Sequence, residues 1–101
     1  MNEVKFVPFD PSKFLEDDDA IAFYLEDAMD SGDARVIAGA IGDVARAKGM
    51  AELAAKSGLS RESLYRALSE DGNPRLDTLM KVLTALGIKL TVAPANTNAA
   101  E

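Results

Sequence analysis

Arg61, Glu62, Tyr65, Arg66 and Ser69 fall on one face of a short segment that reads as a helix beginning after Ser60. Side chains of these types can read base edges and hold phosphates. Arginine bonds guanine O6 and N7 in bidentate fashion or grips a phosphate, and glutamate accepts from cytosine N4. Tyrosine bonds a phosphate through its hydroxyl or rests its ring against a thymine methyl. Taken singly, an Arg or Glu on a helix face is an ordinary solvated charge, and Tyr65 would serve equally to cover the edge of a core. Their setting gives them weight. Leu64, Ala67 and Leu68 recur at helical spacing on the opposite side, and Ser60 stands where a helix cap belongs.

The elements that must position this face are legible around it. Residues 50–73, MAELAAKSGLSRESLYRALSEDGN, read as two short helices joined by a glycine turn. That is the layout of a helix-turn-helix, whose second helix is presented to the DNA major groove. Leu53 faces the core, and Ala54 sits at the helix crossing, where a larger side chain would force the helices apart. Gly58 supplies the left-handed backbone of the turn, and Leu59 plugs it into the core.

Upstream, Val4–Phe9 reads as an extended arm. Glu16 to Asp19 then precede a helical pattern at Ile21, Tyr24, Leu25 and Ala28, with acidic groups at the positive end of the helix dipole. Ser31-Gly32 ends that helix and Asp33 caps the next, which runs to about Lys48 with Ile37, Ala40, Ile41 and Val44 on one face. Gly39 and Gly42 each cost roughly 1 kcal/mol relative to alanine inside a helix, which points either to close backbone packing there or simply to a weak helix. Gly49 closes it. Downstream, Asn73-Pro74 is a start signal for a stripe at Leu76, Leu79, Met80, Leu83 and Leu86, stopped by Gly87. Ile88–Val92 alternates and is rich in β-branched residues, so it reads as a short strand. The tail 94–101 has nothing to bury and reads as disordered.

The fold class is therefore all-α, about five helices with a short C-terminal strand. Its 101 residues suit one compact domain. Within it, residues 1–34 form an acidic arm and N-terminal helix, and residues 35–93 form the helix-turn-helix core with the strand. Cysteine and histidine are both absent, which removes thiolate chemistry and the commonest acid–base agent. Asp17, Asp18 and Asp19 are consecutive and fan around a helix start instead of converging on a cation. No phosphate loop or nucleophile constellation occurs, so no catalytic residue, metal or cofactor is assigned. No apolar run approaches the ~20 residues of a membrane span, and the N-terminus lacks a signal-peptide pattern. A cytoplasmic protein is the default.

The net charge of −6 looks wrong for a DNA binder until it is divided along the chain. Residues 1–34 hold ten acidic and two basic groups, whereas residues 35–89 hold nine basic and six acidic ones. DNA responds to the local patch, not to the total. The acidic part could instead serve a basic protein partner, or simply cap a helix and aid solubility.

The segments FDPSKFL, IAFYLEDAM and IGDVARAKGMAELAAKSGLSRESLYRALSEDGNPRLDTLMKVLTALGIKL span most of residues 9–90. Through them the chain resembles the lambda-repressor/Cro-type helix-turn-helix family, and more narrowly the HigA-like antitoxins of addiction modules. The run SRESLYRALSEDGNPR is the most specific part. The resemblance implies repression of the module's own operon and a small basic RelE-like ribonuclease toxin as partner. It places the DNA-reading face on Ser60, Arg61, Glu62, Tyr65 and Arg66. One departure stands out: the family commonly has Ser, Thr or Gln where this chain has Ala51, which leaves only the backbone amides at that helix end for a phosphate contact.

One helix reads too few bases for selectivity, so a homodimer on a palindromic operator is expected, with half-sites about 34 Å apart. Ile88, Leu90 and Val92 are the candidate dimer strand, unless that strand pairs with the Val4–Phe9 arm. Lys48, Lys56, Arg75 and Lys81 are candidates for phosphate contact. The competing function is a stand-alone or prophage Cro-type repressor with no toxin partner.

Overall fold

The computed structural model describes residues 17–69 and 71–95. The arm expected at Val4–Phe9 and the tail from residue 96 onward lie outside the described residues. Five helices are present among those described: α1 (Asp18–Asp30), α2 (Ala34–Lys48), α3 (Met50–Ser57), α4 (Arg61–Ala67) and α5 (Leu76–Ala85). The architecture is all-α.

Helix α1 packs along α2, while α3 touches α2, α4 and α5. The core is one cluster to which every helix contributes: Ile21 and Leu25 from α1, Ile41 and Val44 from α2, Leu53 from α3, Leu64 from α4, and Val82 and Leu83 from α5. Leu68, Leu86, Met50 and the alanines Ala28, Ala40 and Ala45 complete it. Among the described residues no polar or charged side chain is buried. Apolar burial therefore supplies the cohesion, at roughly 1.5–3 kcal/mol for each large side chain.

Local signals set most helix ends. Asp17 Oδ1 accepts from the Ala20 amide at 2.8 Å and Asp33 Oδ1 from the Arg35 amide at 2.9 Å. Such caps satisfy amides that the helix itself cannot, and each contributes about 1 kcal/mol.

Three expectations are corrected. First, α5 begins two residues later than the Asn73-Pro74 signal suggests: its N-cap is Arg75, which makes no side-chain cap bond. Its buried arc is also rotated toward Val82, Leu83 and Leu86, leaving Leu76 and Met80 exposed. Packing against α3 decides this orientation, and a stripe of interchangeable leucines and methionine does not encode it.

Second, no strand occurs among the described residues; residues 88–95 are irregular. The Ile88 amide instead donates to the Leu83 carbonyl at 2.8 Å across Gly87, closing α5 in the manner of a Schellman cap. Ile88 thus belongs to the helix end. The residues after it have alternation, but among the described residues none pairs with them in a ladder.

Third, only one of the two α2 glycines is needed for close packing. A Cβ on Gly42 would lie 2.5 Å from the Leu68 carbonyl oxygen, whereas one on Gly39 would meet nothing within 4 Å.

Candidate nucleic-acid interface

Helices α3 and α4 are joined by three residues. Gly58 ends α3 with φ of +78° and its amide returns to the Ala54 carbonyl, a left-handed turn that costs any residue with a Cβ about 1–2 kcal/mol. Leu59 is half-buried and packs against the core, as does Ala54. Ser60 then adopts an extended backbone, and its Oγ accepts from the Ser63 amide at 3.0 Å.

This short helix owes its orientation to what it buries. Leu64 is fully buried and Leu68, which caps α4, is 2% exposed. The missing Cβ of Gly42 lets the end of α4 settle directly on α2. The opposite side is consequently turned outward. Ser60, Arg61, Glu62, Tyr65, Arg66 and Ser69 are all exposed, Tyr65 with 48% of its surface free.

The outward groups are lightly held. Glu62 and Arg66 approach to 3.6 Å with side chains 85% and 72% exposed. Ser69 Oγ donates to the Arg66 carbonyl at 3.2 Å. A pair so solvated contributes only a few tenths of a kcal/mol. A ligand could recruit either charge at little cost.

The other basic groups lie elsewhere. Lys48 and Lys56 line a groove with Glu52 and Ala85–Gly87, at the C-terminal end of α5. Lys56 and Lys81 line a second groove with Met80 and Thr84. No α4 residue lines either groove. Lys56 is 3.0 Å from Glu52, and its hydrogen bond and charge hold the Glu52 carboxyl below the usual range. Arg75 Nε is 3.6 Å from Asp77 Oδ1 at the start of α5. The structure therefore groups Lys48, Lys56 and Lys81 on the α3–α5 side and leaves Arg75 apart from them. Past Ile88, which is half-buried, Leu90 is 42% and Val92 97% exposed.

Sequence reasoning missed a polar junction between α1 and α2. The Tyr24 hydroxyl donates to Asp43 Oδ2 at 2.6 Å, and the other carboxylate oxygen accepts from Arg46 at 2.7 Å. Burial pushes the Tyr24 phenol up to about 12, helped by the Asp43 hydrogen bond and charge and opposed by Arg46. The Asp43–Arg46 pair has a legible i,i+3 spacing. Tyr24, nineteen residues away, gave no local signal.

No group of three or more carboxylates placed to hold a metal occurs among the described residues, and none of their helices is long and apolar enough to cross a membrane. What the architecture defines is a small helical scaffold with an open, polar, capped helix face.

Residues 5–94 match the family of probable addiction module antidote proteins. The chain belongs to that family. An uncharacterized protein of Haemophilus influenzae is 40% identical over 84 residues, covering 83% of this chain and 87% of that protein. No solved structure matches the chain. An antidote acts on a toxin, so a toxin is the partner that the family implies, and family members of this kind are not generally enzymes.

Proposed function

We propose that the chain is the antitoxin of a two-component module, a HigA-like protein that represses its own operon through α3–α4 and neutralises a small basic RelE-like ribonuclease. The observation that carries the DNA-binding part is the disposition of α4. Leu64 and Leu68 are buried on one side while Arg61, Glu62, Tyr65 and Arg66 are exposed on the other. This is the layout of a recognition helix, with groups suited to base edges and phosphates. Membership of an antidote family favours this reading over a stand-alone Cro-type repressor.

Selectivity on this reading comes from a two-fold homodimer on a palindromic operator. Leu90 and Val92, exposed beyond α5, are the apolar groups offered for that contact, together with Leu76 and Met80. Lys48, Lys56, Arg75 and Lys81 are assigned to phosphates. About five neutralised phosphates per subunit would give a salt slope of roughly −0.9 for each. The toxin's cationic surface is assigned to the acidic N-terminal part of the chain, at Asp27 and Asp33 beside α2.

The test is a gel-shift against the region upstream of the chain's own operon, with and without the product of the adjoining gene. A retarded band with wild-type protein, altered by a basic neighbouring product, is the expected result. Failure to retard that DNA at low salt would remove the repressor reading. A neighbour that neither binds the chain nor inhibits growth would remove the toxin.

A further inference from the structure

A groove of about 630 Å³ runs between α1 and α2 and ends against Leu68 and Ser69, immediately after α4. Small residues on α2 open it: Gly39 and Ala40 line it, and a Cβ added to Gly39 would meet nothing within 4 Å. Val36 lines the same groove and is 46% exposed. Its acidic wall comes from Asp27 on α1 and from Asp33.

Two features say what kind of group fits. The cavity combines an apolar floor with carboxylates at its margin, so its occupant must be apolar at the centre and cationic at the edge. From Asp18 to Asp30, α1 also carries five carboxylates and no Lys or Arg, so the long-range field at this wall is negative. The groove's cations are Arg35 and Arg46, and the second is neutralised by Asp43 at 2.7 Å.

We infer that the α1–α2 groove is the docking site for a cationic segment of the toxin, which sets an apolar side chain on Val36 and Gly39 and a Lys or Arg against Asp27 and Asp33. The inference rests on the antitoxin reading above and deepens it by naming the surface. A second copy of this chain is the poorer occupant. Setting its α3–α5 cations against this groove would join two different faces, which builds open chains unless the contact closes reciprocally. The groove's end at Ser69 also places the bound toxin beside the face assigned to DNA.

The experiment titrates purified chain with the product of the adjoining gene by calorimetry, using wild type, Gly39→Trp, Asp27→Lys and Glu26→Lys. Gly39→Trp fills the groove and Asp27→Lys reverses its rim. Glu26→Lys makes the same charge change on α1 at an exposed residue that does not line the groove. Circular dichroism and the operator gel-shift establish that each variant folds, and Asp27→Lys at an exposed position keeps the test intact if Gly39→Trp does not. Expected is a loss of at least about thirty-fold in affinity for both groove variants, the range of an interface hot spot, and under about three-fold for Glu26→Lys. Equal loss for Glu26→Lys and Asp27→Lys would reduce the effect to general charge and overturn the site. Wild-type affinity in both groove variants would overturn the site while leaving the antitoxin reading standing. No binding by wild type would overturn the antitoxin reading itself. A changed sedimentation of Gly39→Trp alone, with toxin affinity intact, would make the groove a contact between copies and also overturn the proposal.

Discussion

The outer face of α4 and the junction of α1 with α2 hold their charges in opposite ways. On α4 the Glu62–Arg66 pair is loose, at 3.6 Å and largely in water. At the junction, Tyr24 and Arg46 converge on one carboxylate at 2.6 and 2.7 Å. The difference teaches how to tell a face kept for a partner from a joint kept for the fold. A carboxylate that accepts from a side chain of another helix, as Asp43 does from Tyr24, fixes a helix crossing, while charges left in solvent can be recruited at little cost. In this chain the scaffold beneath the loose face is apolar, so the face can be altered with little effect on the fold.

The comparison breaks first at its apolar support. Leu64→Ala removes a side chain with no exposed surface and should cost about 2–5 kcal/mol. For a protein of this size each kcal/mol lowers the melting temperature by roughly 4–8 °C. Thermal denaturation should therefore show a large drop, with operator binding lost in proportion to the unfolded fraction. A melting temperature within a few degrees of wild type would mean that α4 is not anchored as described.

On the face itself the expectation is reversed, with binding lost and the fold kept. Arg61→Ala should cost about 1–3 kcal/mol on the cognate operator and leave the melting curve nearly unchanged. Lys56→Ala should weaken binding to all sequences and lower the salt slope by roughly one. Gel-shifts on cognate and random DNA at several salt concentrations separate the two. Equal losses on random DNA would refute the division between base-reading and phosphate-holding groups. An unchanged salt slope for Lys56→Ala would show that the α3–α5 cations, which share no groove with α4, do not meet the duplex.

A smaller effect tests the hinge between scaffold and face. Ser60→Ala removes the oxygen that accepts from the Ser63 amide and should cost about 1 kcal/mol, against a few tenths for Ser60→Gly. Amide exchange should quicken in α4 before it does in α2. Uniform quickening across both helices would mean that α4 does not open on its own.

What could be read from the chain beforehand follows the range of the interactions. The caps at Asp33 and Ser60 and the turn at Gly58 are decided within a few residues, so spacing and residue type suffice. The face of α4 follows from Leu64 and Leu68 by the same local geometry. The start of α5 was misplaced because contact with α3, not Asn73-Pro74, determines which arc of that helix is buried. The strand expected at Ile88–Val92 is absent among the described residues for a related reason: alternation shows that a segment can pair, while a ladder needs a second backbone. Gly39 and Gly42 look alike in sequence and differ through the Leu68 carbonyl, twenty-six residues beyond Gly42, and the Arg46 side chain. The α1–α2 groove and the Tyr24–Asp43 bond were invisible because they exist only once two helices have met.

The Tyr24 junction supplies the smallest expected change and the sharpest signature. Tyr24→Phe removes the hydroxyl but leaves Asp43 bonded to Arg46 at 2.7 Å, so no charge is stranded. The loss near neutral pH should be about 0.5–1 kcal/mol, with operator binding unchanged. The pH dependence carries more information. The folded phenol titrates near 12 instead of the ordinary 10.0, so the fold favours its protonated form. That contribution is intact below about pH 10 and is lost as pH rises through 12. Ultraviolet titration of wild type should show a tyrosinate component near pH 12 that vanishes in Tyr24→Phe. Wild-type stability should fall more steeply than the variant's over the same interval. If the high-pH component persists in Tyr24→Phe, the phenol is not the group clamped by Asp43. The contrast between a fixed joint and a free face would then lose its firmer half.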